Sequence, residues 1–279
     1  MDISKLPSVK DIVTSFDIAP VKKLGQNFLF DQNLTDKIAK SELITNELIL
    51  EIGPGPGGLT RSILKNDPQI LKVIEPDERC VKAIENIKHT LDLNNIFIIN
   101  NDARKIKFEE IFEGKEFRIL ANLPYNVATD ILIQGLEAHK YIKSMTLMFQ
   151  KEVAERINAK PNSKAYGRLS IISQNYYKTQ ILFEISPKAF FPAPKVTSSV
   201  IKLQRRDVPL FTGNFKTMEY LCFIMFNQRR KQIKKALTTL NLYEASILKE
   251  CNLTGTERAE DLSIEQYTKL AYFLEKTRT

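Results

Sequence analysis

From residue 48 onward the sequence alternates short runs of β-branched and large apolar residues with stretches of helical period, and this alternation restricts the fold more than anything else in the chain. The runs are LILEI (48–52), ILKVI (70–74), IFIIN (96–100), FRILA (117–121) and MTLMF (145–149). Between them, DERCVKAIENIKHTL repeats its apolar residues at helical spacing, with Asp77 placed to cap the first turn. Strand and helix in strict alternation predict an α/β fold, a doubly wound and mainly parallel sheet. Ligands of such sheets sit beyond the carboxyl ends of the strands. Function is therefore expected in the residues that follow each run.

Those residues are unusual. The first run leads into EIGPGPGG (51–58), whose glycines at 53, 55, 57 and 58 let the backbone approach a ligand closely. Gly53, Gly55 and Gly58 also satisfy the G-x-G-x-x-G spacing, so a nicotinamide or flavin site stays open, as does a plain strand-to-helix turn. The second run ends in Glu75, 22 positions after Gly53, where an acidic side chain can accept from both hydroxyls of a ribose. Asp102, between Asn101 and Ala103, follows the third run and is able to bond the exocyclic amine of an adenine. The fourth ends in Asn122-Leu123-Pro124-Tyr125, which by itself is also ordinary turn chemistry.

The rest of the composition narrows the chemistry. Three scattered cysteines and two histidines offer no zinc spacing and no disulfide framework, so catalysis is expected without metal, thiolate or imidazole. No run approaches the length of a membrane span, and MDISKLPSVKDIVTSF has no apolar core of signal-peptide type, which predicts a cytoplasmic protein, expected to be a monomer. Charge is uneven. Residues 188–279 carry 16 Lys and Arg against 9 Asp and Glu, leaving 25 against 24 for the remainder. A basic C-terminal third suits a polyanion such as RNA, or simply a solvated surface.

Beyond residue 205 only helical patterns remain, with FKTMEYLCFIMFNQRRKQIKKALTTL expected as the first helix and RRDVPLFTGN as a hinge. Within it, FNQRRKQIKKAL gathers Arg229, Arg230, Lys231, Lys234 and Lys235 at one helix start, a fit for RNA phosphates. Just before the helical region, KAFFPAPKVTSSVIKL holds Phe190 ahead of Pro192 and Pro194, which stiffen its loop. That ring is expected to form one side of an aromatic sandwich around a flipped base. The expected domains are an N-terminal extension (1–23), a catalytic domain (24–205) and a helical RNA-binding domain (206–279).

Asn122-Leu123-Pro124-Tyr125 is similar to the (Asn/Asp/Ser)-(Pro/Leu/Ile)-Pro-(Tyr/Phe) motif of S-adenosylmethionine-dependent methyltransferases that modify exocyclic amines. The lone pair of an adenine N6 is delocalised into the ring. Two acceptors on its N–H bonds, the Asn122 side-chain oxygen and the Leu123 carbonyl, would draw it toward tetrahedral geometry. Pro124 holds that carbonyl in place, and Tyr125 offers a ring for the base to stack on. No strong base is needed, because the proton can leave from the product ammonium. Together LGQNFL, EIGPGPGGLT, NLPYN, FFPAPKVTSSV, FNQRRKQIKKAL and RAEDLSIEQYTKL resemble, in order, the signature segments of the small-subunit ribosomal RNA adenine dimethyltransferase A family.

The resemblance implies a Rossmann-like class I methyltransferase sheet with a small helical C-terminal domain. It implies S-adenosylmethionine as cofactor, and dimethylation at N6 of two adjacent adenosines near the 3′ end of 16S ribosomal RNA in the immature 30S subunit. Carried over position by position, cofactor contacts fall on Asn27, Leu29, Gly53, Glu75, Asp102 and Asn122, with Gly55 and Ala103 beside them. Phe191 and Ala193 depart from the residues common in bacterial relatives, which bears on the shape of the target-base pocket. Three competing readings are a 23S RNA adenine dimethyltransferase of macrolide-resistance type, a non-catalytic RNA-binding assembly factor and a nicotinamide oxidoreductase. The last leaves Asn-Leu-Pro-Tyr without a purpose.

Overall fold

In the computed structural model, which describes residues 3–20 and 25–278, the apolar runs form strands where the alternation predicts them. Leu24, which opens LGQNFL and the expected catalytic domain, lies outside the described residues. The order begins α1 (Val9–Ser15), β1 (Phe28–Leu29), α2 (Gln32–Lys40), β2 (Leu48–Ile52), α3 (Gly58–Leu64), β3 (Ile70–Ile74) and α4 (Glu78–Thr90). It continues with β4 (Ile96–Ile99), α5 (Phe108–Ile111), β5 (Phe117–Ala121), α6 (Tyr125–Glu137) and β6 (Ile142–Gln150). Next come α7 (Lys151–Ile157), α8 (Arg168–Tyr176), β7 (Tyr177–Ile185), β8 (Phe190–Phe191) and β9 (Ser198–Arg205). Four helices follow: α9 (Phe215–Phe226), α10 (Lys234–Thr239), α11 (Ala245–Glu250) and α12 (Ile264–Arg278). Asp77 caps α4 as expected, its side chain accepting from the Arg79 N–H.

The main sheet runs β4-β3-β2-β5-β6-β9-β7, with β2/β3, β3/β4, β2/β5 and β5/β6 parallel. The chain steps from β2 outward through β3 and β4, then returns to place β5 on the other side of β2. That reversal is a topological switch point, where the loops after β2 and β5 diverge and leave a crevice. Register makes the crevice sharp: Ile52 pairs with both Ile74 and Ala121, so Gly53, Glu75 and Asn122 each leave the sheet one residue beyond the same row. Beneath it Ile49, Leu71, Val73, Ile119 and Leu120 are fully buried. Each such side chain contributes about 1.5–3 kcal/mol of burial. Charges at the other end of the strands are paired among themselves: Arg118 near the start of β5 bridges Glu42 (3.1 Å) and Glu47 (3.3 Å).

Two compact units are present. One comprises Met1–Lys151 with Ile181–Lys202, and the other Glu152–Gln180 with Leu203–Thr279. Residues 152–180, which the sequence reading kept with the sheet, thus group with the C-terminal helices, because α8 packs on α9 and α12. The segment expected as a hinge is clamped inside this second unit. Asn175, fully buried at the end of α8, accepts from the Phe211 N–H through Oδ1 (2.8 Å) and donates through Nδ2 to the Phe211 carbonyl (3.3 Å). Asn175→Ala would leave two buried main-chain groups unpaired, an expected loss of about 2–4 kcal/mol. Urea unfolding with an unchanged slope and a lowered midpoint would register it; an unchanged midpoint would make the clamp incidental.

The helix expected through FNQRRKQIKKAL is a correction. α9 stops at Phe226 and α10 starts at Lys234, so Arg229, Arg230 and Lys231 lie in the turn between them. Tertiary partners break the helix: Arg229 Nε donates to Glu260 (2.6 Å), its Nη2 donates to the Lys164 carbonyl (2.7 Å), and the Ile233 N–H donates to the Glu257 carbonyl (2.8 Å).

Candidate active site

The crevice opens into a cavity of about 270 Å³ in the first unit. Its wall contains all twelve residues that the sequence assigns to catalysis or cofactor: Asn27, Leu29, Gly53, Gly55, Glu75, Asp102, Ala103, Asn122, Leu123, Pro124, Tyr125 and Phe190. These come from six separate segments of the chain, and the strand register alone brings together the loops after β2, β3 and β5. The Arg229 to Lys235 group belongs to the other unit and is outside this wall.

The floor is built by glycine. Gly53 has φ +67° and a Cβ there would meet nothing within 4 Å, so the space beside it is open to a ligand. Gly55, at φ +54°, lies against the Phe28 ring, where a Cβ would come within 3.1 Å. Glu75 is 3% exposed, with Oε2 accepting from the Gly55 N–H (3.2 Å) and Oε1 from the Asp77 N–H (3.0 Å). Burial outweighs those bonds and pushes its pKa up to about 7. Glu51, inside β2 and 1% exposed, has no hydrogen-bond partner for either oxygen among the described residues. Burial, with the Glu75 charge nearby adding to it, pushes this carboxyl up to about 8.

Asp102 is more engaged than the sequence suggests. It caps a short turn at Ala103–Lys105 and is forked by Arg104, whose Nη2 lies 2.7 Å from Oδ2. The Arg104 guanidinium holds the carboxyl below its ordinary value, so it is ionised, and each of its oxygens already accepts two contacts from Arg104. Asn122 is the opposite case. Among the described residues no group hydrogen-bonds its side-chain amide, although it is half-buried at the cavity wall. Pro124 accepts from the Val127 and Ala128 N–H groups (both 3.1 Å) and so starts α6, with Leu123 and its carbonyl outside the helix. The Tyr125 hydroxyl meets Ser198 Oγ at 2.6 Å, which fixes the ring. Phe190 is held by a two-stranded pairing, Leu29 opposite Phe190 and Phe28 opposite Phe191.

Several wall residues escaped the sequence reading: Gln26, Phe28, Arg104 and Asn126, together with Ser198 behind Tyr125. Only Arg104 carried a signal, as a cation two residues from an acid. The three cysteines are buried, and burial pushes each thiol up, away from thiolate chemistry.

Residues 20–276 match the family described as ribosomal RNA adenine dimethylase. The chain belongs to that family. It is 43% identical over 277 residues to the ribosomal RNA small subunit methyltransferase A of Bartonella tribocorum, covering 97% of this chain and 99% of the relative. A dimethyladenosine transferase from Plasmodium falciparum superposes with a TM-score of 0.78 at 25% identity, over 90% of this chain and 98% of that one. The 23S rRNA methyltransferase ErmE shares the fold, with a TM-score of 0.70 at 23% identity over 89% and 100% of the two chains. The fold is thus the Rossmann-like methyltransferase sheet with a helical C-terminal region, and the chain is a ribosomal RNA adenine dimethyltransferase.

Enzymes of this family take their methyl groups from S-adenosylmethionine. The cavity fits that cofactor on its own features: an open glycine floor at Gly53 and a carboxylate at Glu75 with acceptor capacity to spare. Among the described residues no cluster of His, Cys, Asp or Glu could hold a metal ion, and no helix is long and apolar enough to cross a membrane.

Proposed function

We propose that the protein dimethylates N6 of two adjacent adenosines near the 3′ end of 16S ribosomal RNA, acting as a monomer on the immature 30S subunit in the cytoplasm. One observation carries the reading beyond family membership: the amide of Asn122 at the cavity wall, unpaired among the described residues and one residue beyond the row that also releases Gly53 and Glu75. In this reading Asn122 Oδ1 and the Leu123 carbonyl accept the two N–H bonds of the target amine and aim its lone pair. Pro124 fixes the carbonyl. Tyr125, anchored by Ser198, stacks on the base, and Phe190 covers its other face.

Cofactor binding falls to the other walls. Glu75 accepts from the ribose hydroxyls, Asp102 and Ala103 receive the adenine, Gly53 and Gly55 line the backbone approach, and Asn27 and Leu29 close the near side. The bound cofactor supplies an electrophilic methyl group on a sulfonium. The chain contributes position and acceptors, and needs no strong base. Incubation with labelled S-adenosylmethionine should place label on undermethylated 30S subunits and not on 50S subunits. Label on 50S alone would redirect the reading to the large subunit, and no label on either would leave a binding factor.

The RNA-binding role extends to Arg229, Arg230, Lys231, Lys234 and Lys235, with Arg229 already committed to Glu260 and Lys164. Arg230, Lys231 and Lys235 are exposed and suited to phosphates. Their joint replacement by alanine is expected to flatten the log–log salt dependence of 30S binding by about 2. Cofactor affinity should not move. An unchanged salt slope would make this a solvated turn.

A further inference from the structure

We infer that Phe191 and Phe30 form a stacking platform, next in the chain to the cavity-lining Phe190, for the second adenosine of the target pair, the one not in the catalytic pocket. The inference rests on the proposed RNA substrate and adds a specificity site that the catalytic residues do not include. It starts from β8, which is only two residues long and pairs with β1. Side chains alternate along a strand, so neighbours at 190 and 191 face opposite ways. Phe190 is 6% exposed and lines the cavity, whereas Phe191 is 53% exposed and absent from the wall. Its ring stacks on Phe30, with centroids 6.0 Å apart and planes 24° from parallel.

Phe191 is the most exposed phenylalanine among the described residues. Here the exposed segment continues in the chain through Pro192 and Val196, the latter 43% exposed. Lys188 and Lys195 flank it, both exposed and without an ion-pair partner among the described residues. Asp31, the nearest acid in sequence to Phe30, turns its carboxylate to the Asn33 N–H at the start of α2. An aromatic surface bordered by unpaired cations is what a single-stranded nucleic acid needs: rings for a base, lysines for its phosphates. Continuity decides which base. Phe190 and Phe191 are joined by one peptide bond, the reach between successive nucleotides is short, and the substrate presents two adenosines in succession. With one adenosine flipped into the pocket, its neighbour meets the platform.

The test is a thermodynamic cycle on reconstituted 30S particles, with the full-length enzyme and single-turnover methyl transfer as the readout. Phe191→Ala should raise the particle concentration for half-maximal rate about tenfold, the scale of one base–aromatic stack. Phe191→Tyr should restore it. Phe97→Ala, removing an exposed ring on the β4 edge, serves as the control for general loss of apolar surface. Particles whose 16S RNA carries an abasic residue beside the reactive adenosine should show the same loss with the unaltered enzyme. Combining that RNA with Phe191→Ala should add nothing further. Additive losses, or a Phe191→Ala enzyme with unaltered concentration dependence, would overturn the platform while leaving the methyltransferase reading intact. Failure of the unaltered enzyme to methylate the intact particle would instead remove the reading on which the platform rests.

Discussion

Asn122→Ala is expected to lower single-turnover methylation of 30S subunits by about 10²–10³, the usual cost of deleting one positioned hydrogen bond to a reacting group. The amide has no partner among the described residues, at a place where half-burial would favour one. An acceptor held by a strand end, unspent on the protein and turned toward a cavity, is available to a substrate N–H. Folding should survive, because the amide supports no part of the core, and circular dichroism on the same samples checks this. Tyr125→Ala should cost about tenfold through lost stacking. Tyr125→Phe keeps the ring but releases it from Ser198, so a drop of only a few-fold is expected. A folded Asn122→Ala enzyme working at normal rate would return the NLPYN segment to a simple turn.

What was legible in the sequence follows the strength of local signals. The runs at 48–52, 70–74 and 117–121 form strands over those same residues, because strand period, flanking turns and helix caps agree there. The part of the cavity wall that follows β2, β3, β4 and β5 was legible for the same reason, since a switch-point crevice is assembled by strand ends that the alternation locates. The failures are tertiary. Nothing local marks a two-residue strand such as β1 or β8, so the opposite facing of Phe190 and Phe191 had no signal. FNQRRKQIKKAL contains no glycine or proline to mark a helix end, yet Glu257 and Glu260, about thirty residues on, draw its middle into a turn. RRDVPLFTGN has the composition of a hinge and is nonetheless fixed by Asn175, a polar residue inside a helix whose partner is 36 residues away. Beyond its spacing, Asp102 carries no sequence sign of its pairing with Arg104, because the fork forms only once the turn at Ala103–Lys105 closes.

Glu75 gives the other large effect, and its burial gives that effect a pH dependence. Both of its oxygens already accept a main-chain N–H, from Gly55 and Asp77, and each retains a lone pair for a ribose hydroxyl. Glu75→Ala should weaken S-adenosylmethionine binding about 10- to 150-fold, matching about 1.5–3 kcal/mol for hydrogen bonds to a charged group. Glutamine is a poor substitute, since its NH₂ would face one of those two N–H donors. In the cofactor-free protein the carboxyl is pushed up to about 7, so near neutrality it is only partly ionised. Ribose hydroxyls donate to the ionised form, so binding should release a proton and affinity should rise with pH through about 7, levelling off above it. Stability of the free protein carries the opposite slope. The folded carboxyl holds its proton above the ordinary value of 4.5, so its contribution is full below that value and is lost as pH rises through about 7. Glu51, pushed up to about 8, extends the loss in the same direction. Calorimetry in two buffers of different ionisation enthalpy measures the proton released, and thermal unfolding with and without cofactor measures the slope. An affinity independent of pH between 6 and 8, or unaltered in Glu75→Ala, would take this carboxylate out of the cofactor site.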